Sequence, residues 1–348
     1  MPEAYCVRSN SGALRQNRVR FLADAAPGCQ NAYRDSGLCC VDKGRPLEYL
    51  IFGTFLLVAF ARNYNPMFLN RKIIPLRKAP QLDAALRQEP VPLLDGGRRT
   101  VVSWSAKSAC THVVIWYLHR IGLLDEARRY HPWVHRYRSE VLYKSETHRQ
   151  ARRQLGHERA SGWSCVKVVR DPAKRCVSSY RHALKHGYED EKMSRILGRD
   201  ISHKTGYSYQ TFLDYLGRID LRNCNIHHRV QRHPLDMISF GRTWLINVDE
   251  QCLDAALARL DRIQGSPSVA DQPESSEAIA QAANRHAGEG EAMVGGEDIW
   301  RTSLSVRDVS QWPKRSLLSS APASELARQI YECDYDMLSE IAERTEPE

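Results

Sequence analysis

No apolar run in these 348 residues reaches the ~20 that span a bilayer. The longest is the uncharged stretch 49–61, Tyr49 to Ala61, which ends at Arg62. That length suits a core or interfacial helix better than a membrane span. The first 30 residues mix charges with Ser, Gly and Asn, so no secretory signal is expected. The 10 cysteines show no regular spacing and no CxxC, which argues against a disulfide framework, a zinc ribbon and thioredoxin-like chemistry. No metal is expected. The P-loop pattern GxxxxGK[ST] is also missing, and with it the usual nucleoside-triphosphate cradle. A reducing cytoplasm is the expected compartment, with weak membrane association through 49–61 as the alternative. There is no internal repeat.

Positive charge is plentiful. Lys and Arg exceed Asp and Glu by 50 to 41, a formal net charge of +9, which favours polyanionic partners. The excess is concentrated between Lys144 and Lys185, which hold 11 Lys/Arg against 3 Asp/Glu. A basic nucleic-acid-binding protein would explain that charge and the Arg-rich stretch Arg149 to Arg159. The chain lacks the aromatic stacking motif or recognition helix that such a protein needs, so nucleic acid is not expected as a partner.

Three strand-then-helix units follow one another. Thr100 to Trp104 is a β-branched and aromatic run, and after a small loop Val114, Leu118 and Ile121 share one helical face, with Gly122 as a stop. Cys165 to Val169 reads as a buried strand, followed by Asp171 as N-cap, Pro172 in the first turn, and Cys176, Tyr180, Ala183 and Leu184 at helical spacing. Trp244 to Val248 reads as a third strand, with Asp249 as the cap of a helix carrying Leu253, Ala256, Leu257 and Leu260. Ser324 to Ala342 predicts one amphipathic helix. Alternating strands and helices imply an α/β fold, a parallel sheet covered by helices on both faces. Residues 1–95 read as an N-terminal extension that includes 49–61. Residues 96–348 read as one domain, with a flexible Ser/Ala/Gly/Glu-rich insertion at about 265–298.

In such a fold, ligands settle at the carboxyl ends of the strands, where helix N-termini offer N–H groups to anions. Two loops fit. The first, Ser105 to Thr111, offers small residues, the cation Lys107 and hydroxyls. The second, Val169 to Tyr180, places Arg170 at a strand end and Ser178 two helical turns further on, a bidentate donor and a hydroxyl for one phosphate. The plain alternative is a capped helix whose Arg170 pairs with a carboxylate.

Together these loops resemble those of the sulfotransferases that use 3′-phosphoadenosine 5′-phosphosulfate (PAPS). Lys107-Ser108-Ala109-Cys110-Thr111 and Val169-Arg170-Asp171-Pro172 through Arg175, Ser178 and Tyr180 are similar to the family's two donor-binding segments, closest to its carbohydrate branch. Asn225 to Gln231 is similar to that branch's His-Trp-x-Pro-Gln segment, with His228 in place of Trp and Val230 in place of Pro. Ile330 to Tyr335 resembles its Tyr-x-x-Asp-Tyr helix. The likeness spans about 100–263 and 305–340. It departs at Ala106, where Pro is usual, and at Ala109, where Gly is usual, so the loop must tolerate a Cβ.

The resemblance implies a three-layer, P-loop nucleotide-kinase-like fold. It implies PAPS as co-substrate, with Lys107, Ser108, Ala109, Cys110 and Thr111 around the 5′-phosphosulfate, and Arg170 and Ser178 on the 3′-phosphate. The acceptor is then a free hydroxyl, on a glycan by the branch resembled. Lys107 suits stabilisation of the leaving group, and His227 or His135 suits removal of the acceptor proton, with His131 in the same stretch as His135. A nucleotide kinase-like phosphoryl transferase and a family member that binds nucleotide without turnover are the alternatives.

Overall fold

The computed structural model describes residues 19–21, 82–266, 298–310 and 312–344. The hydrophobic segment 49–61 and nearly all of the insertion expected at about 265–298 lie outside these residues.

In chain order the elements are β1 (Val19–Phe21), α1 (Leu82–Ala85), β2 (Leu93–Asp95), β3 (Thr100–Ser103), α2 (Cys110–Arg120), α3 (Leu124–Tyr130), α4 (Val134–Glu140) and α5 (Glu146–Glu158). Then come β4 (Ser164–Val169), α6 (Pro172–His186), α7 (Asp190–Leu197), β5 (Tyr207–Ser208), α8 (Tyr209–Leu216), β6 (Arg242–Asn247) and α9 (Leu253–Ile263). The last are β7 (Ser303–Leu304), α10 (Lys314–Ser319), α11 (Ala321–Ile330) and α12 (Glu332–Arg344).

The main sheet runs β6-β4-β3-β2, with β1 added outside β6. Strands β3, β4 and β6 are parallel, but β2 pairs antiparallel with β3, Leu93 opposite Val102 and Asp95 opposite Thr100. The fold is thus α/β, as expected, with a mixed sheet in place of a wholly parallel one. The reason is the length of the connection. Residues 96–99 form a tight turn with Arg99 at φ 49°, and only an antiparallel neighbour can be reached that quickly. Leu93–Asp95 therefore packs with the main sheet, although it precedes the boundary expected at 96.

Alternation along the strands divides the core between the two faces of the sheet. Val102, Val166, Val168, Trp244 and Ile246 pack on one side with Val113, Val114 and Leu118 of α2 and Leu257 and Leu260 of α9. Val101 and Cys165 point the other way, against Ala151 and Leu155 of α5, and Val169 and Leu245 meet Met337 of α12. Helices thus flank both faces. A further core lies under α6, where Cys176, Tyr180, Ala183 and Leu184 pack on Phe212 and Leu213 of α8 and Ala323 and Ala327 of α11.

Helix α6 begins and ends as its sequence predicts. The Asp171 carboxylate accepts from the Lys174 amide at 2.8 Å, Pro172 occupies the first turn, and Gly187 closes the helix at φ 64°. Two other boundaries differ. Helix α9 starts at Leu253 after Cys252, not at Asp249, because the Asp249 carboxylate accepts from the Asp171 amide at 2.9 Å instead. The single helix expected over 324–342 is two, α11 and α12, separated at Tyr331. Among the described residues no helix is long and apolar enough to cross a membrane.

Candidate functional site

The loop from Ser103 to Cys110 turns from β3 into α2 by placing two non-glycine residues in the left-handed region, Lys107 at φ 69° and Ala109 at φ 54°. The Cβ expected to strain this loop is accommodated, at a cost of about 1–2 kcal/mol for each such residue. Ala109 is also the N-cap of α2 and supplies no side-chain cap. The first amides of α2 are left for another acceptor, and left-handed turns of this type form concavities that suit anions.

The side chains of this loop face different partners. Ser108 is buried, and its hydroxyl donates to Gln231 Oε1 at 3.0 Å. Thr111 Oγ1 meets His135 Nε2 at 2.9 Å. Cys110 is half-buried and free.

The second loop meets the first. Arg170 Nη1 donates to the Lys107 carbonyl at 3.1 Å, so the ends of β3 and β4 are in contact through this guanidinium. The carboxylate partner considered for Arg170 is also present, since Arg170 Nε lies 3.6 Å from Asp249 Oδ2. Lys174 Nζ takes the other oxygen of Asp249 at 3.3 Å. Ser178 is half-buried on α6, two turns beyond Asp171.

The two C-terminal motif segments join the same cluster. The Gln231 side chain accepts from the Arg170 amide at 2.9 Å and donates to the Arg170 carbonyl at 2.7 Å. The buried Asp334 carboxylate accepts from the amides of Gln231 at 2.7 Å and Arg232 at 3.0 Å, and lies 3.5 Å from the guanidinium of Arg175. Tyr331 donates its hydroxyl to the His228 carbonyl at 2.9 Å. Four stretches separated by up to 220 residues of chain therefore share one connected network.

Lys107 dominates the electrostatics. Burial draws its pKa down to about 8, and Arg181, Arg170 and Lys185 push in the same direction, opposed by Cys110 alone among the main causes. No carboxylate neutralises this cation among the described residues. Beside it the His227 ring stacks on His182, centroids 4.0 Å apart, with His186 4.5 Å beyond His182 and Tyr188 5.5 Å from His227. Burial lowers His227 to about 3, with Lys107 the next cause, and lowers His182 and His186 too. All three imidazoles are neutral at physiological pH.

Hydrogen bonds assign the tautomers of two of the candidate histidines. Asn225 Oδ1 accepts from the His227 amide at 3.1 Å, so the atom facing His227 Nδ1 at 2.8 Å is an acceptor and Nδ1 carries the proton. The lone pair of His227 is therefore on Nε2. His135 is the reverse case, because Arg138 Nη1, which can only donate, lies 2.8 Å from its Nδ1. His135 Nε2 is then the N–H that faces Thr111. His131 accepts from the Trp133 amide at 2.9 Å.

Several members of this cluster did not stand out in the sequence. His182 and Lys185 lie four and seven residues after Ser178 on α6, so they share its helical face. That polar stripe lies opposite the apolar stripe of Cys176, Tyr180, Ala183 and Leu184 that identifies the helix. Lys167 is a second such residue, a lysine in the middle of β4, buried with its Nζ 2.7 Å from the Gln231 carbonyl and 2.9 Å from Asp236.

Among the described residues no group of three His, Cys, Asp or Glu is placed to hold a metal ion. Comparison with protein-family models, with curated proteins and with solved structures found no match.

Proposed function

We propose that the protein is a PAPS-dependent sulfotransferase with the P-loop nucleotide-kinase-like fold, transferring a sulfuryl group to an acceptor hydroxyl, with a carbohydrate as the acceptor. One observation carries this reading. Two strand ends 63 residues apart meet through the Arg170–Lys107 contact, where a half-buried lysine is neutralised by no carboxylate among the described residues. A cation held that way favours an anion, and two adjoining anion-binding loops favour a ligand with two anionic groups.

The residues present fit the donor. The uncapped start of α2 and Lys107 suit the 5′-phosphosulfate, and Arg170 with Ser178 suits the 3′-phosphate. The acceptor oxygen attacks sulfur in line, the bond from sulfur to the 5′-phosphate oxygen breaks, and adenosine 3′,5′-bisphosphate leaves. Lys107 and the α2 amides stabilise the negative charge that develops on that oxygen. The acceptor proton passes to His227 Nε2. Burial is the main cause of the low pKa of His227, and an anion beside Lys107 offsets the smaller part that comes from repulsion by that cation, so donor binding raises the basicity of this base in part. Ser108 shapes the loop and leaves the anion to its neighbours, since its hydroxyl is committed to Gln231 and its amide to the Ser105 carbonyl at 3.3 Å.

A saccharide acceptor is supported by Trp133, which is 49% exposed although it lies 5.5 Å from His135, itself bonded to Thr111. A flat aromatic face ringed by hydrogen-bonding side chains suits a sugar ring.

Retention on immobilised adenosine 3′,5′-bisphosphate, compared with immobilised ATP, tests the donor class, and a radiolabelled donor offered with glycans, lipids and small alcohols tests transfer. The expected result is selective retention on the bisphosphate and label in a glycan. Stronger retention on ATP would point to phosphoryl transfer, and retention with no label in any acceptor would point to binding without turnover.

A further inference from the structure

Gln231 is almost fully buried between the two loops and belongs to neither. Its carboxamide orientation is determined by its partners. Oε1 accepts from the Arg170 amide, which can only donate, and Nε2 donates to the Arg170 carbonyl, which can only accept. The remaining lone pair of Oε1 takes the hydroxyl of Ser108 at 3.0 Å. Since Arg170 Nη1 also donates to the carbonyl of Lys107, the residue before Ser108, the contacts close a ring through Ser108, Gln231, Arg170 and Lys107.

The main chain of Gln231 is itself held in place. Lys167 Nζ binds its carbonyl at 2.7 Å and is completed by Asp236 at 2.9 Å, while Asp334 binds its amide at 2.7 Å. All of these groups are buried or nearly so. A side chain anchored from below, with both ends of its amide on Arg170 and its oxygen shared with Ser108 of the other loop, cannot adapt to one loop without disturbing the other.

We propose that Gln231 is a positioning residue that couples the two loops, so that an anion held at 105–111 strengthens the grip of Arg170 on a second anionic group of the same ligand. The route is Ser108 to Gln231 to the backbone of Arg170. The sulfotransferase reading enters only in the choice of ligand, a nucleoside carrying phosphates at its 3′ and 5′ positions.

The test uses the full chain and the variants Ser108→Ala and Gln231→Glu. Ser108→Ala removes only the leg to the first loop. Gln231→Glu keeps the shape but sets an oxygen against the Arg170 carbonyl. Calorimetry gives the affinity for adenosine 3′,5′-bisphosphate and for adenosine 5′-monophosphate, and their ratio measures the worth of the 3′-phosphate. In the unmodified protein the ratio strongly favours the bisphosphate. Ser108→Ala should reduce it about fivefold, the worth of one hydrogen bond, although Ser108 lies in the loop for the other phosphate. Gln231→Glu should reduce it further.

A residue with only a supporting role would weaken both nucleotides equally, and an unchanged ratio overturns the coupling while leaving the sulfotransferase reading intact. An unmodified protein that shows no preference for the bisphosphate overturns that reading instead. Coupling is then judged without ligand, from hydrogen exchange at the Arg170 amide. Exchange several-fold faster in Ser108→Ala supports coupling, and unchanged exchange ends it.

Discussion

Positive charge drawn out of solvent is handled in opposite ways at the two edges of the sheet. At the amino edge of β3 the fully buried Arg120 is matched by Asp95 at 3.0 Å and Asp261 at 2.8 Å, and Asp261 also takes the indole N–H of Trp116 at 2.9 Å. At the carboxyl edge Lys107 has three cations for neighbours and, among the described residues, no carboxylate to match them. The first arrangement is complete in itself and holds β2, α2 and α9 together. The second is incomplete, and what would complete it is an anion from outside the chain. On the proposed function, balanced charge belongs to the scaffold and unbalanced charge to the site.

Removing one acid from the balanced edge should have the largest effect. Asp261→Ala leaves the buried Arg120 with Asp95 alone and the indole N–H of Trp116 without its acceptor, and should cost about 3 kcal/mol, read from urea unfolding. Lys107→Met should do the opposite at the other edge. Transfer should fall about 10²–10³-fold, while the melting temperature holds or rises because a half-buried cation with no carboxylate beside it has gone. A clear loss of stability there would break the comparison.

Arg170→Ala should weaken binding of adenosine 3′,5′-bisphosphate about 10–100-fold with little change in unfolding, because Lys174 still neutralises Asp249. The smallest effect is one of pH. The folded pKa of Lys107, about 8, lies below its ordinary 10.5. Between these values the unfolded chain holds a proton that the folded chain has released, so this group's contribution to stability rises with pH across that window. Nucleotide affinity should move the other way, falling about tenfold per pH unit above 8, and Lys107→Met should flatten that slope.

How much of this was legible in the sequence depended on distance along the chain. The β4–α6 unit was readable because its signals are local: a β-branched run, Asp171 and Pro172 at the helix start, and Gly187 at its end. The loops at Lys107 and Arg170 were readable as motifs for the same reason. Asp249 was misread as a helix cap because its partners, Asp171, Arg170 and Lys174, come from another strand end. Strand β2 was too short to show alternation, and its antiparallel direction follows from the turn at 96–99. The break at Tyr331 left no mark because the apolar period of α11 continues in step into α12. Gln231 was visible as a match to a motif, but the reason for a buried amide there exists only once β3 and β4 lie side by side.

The left-handed Lys107 and Ala109 bear on the thermodynamics of the site. A glycine-rich cradle samples many shapes and loses that freedom when a phosphate arrives, whereas residues carrying Cβ atoms at positive φ stay there only because the contacts around them hold them, here the Lys107 carbonyl on Arg170 and the Ser108 hydroxyl on Gln231. On the proposed function, a loop shaped in advance by those contacts should take up its end of the nucleotide with little conformational entropy penalty. Replacing Ala109 with glycine would relieve backbone strain, yet the relaxed loop should bind more slowly and less tightly than the strained one.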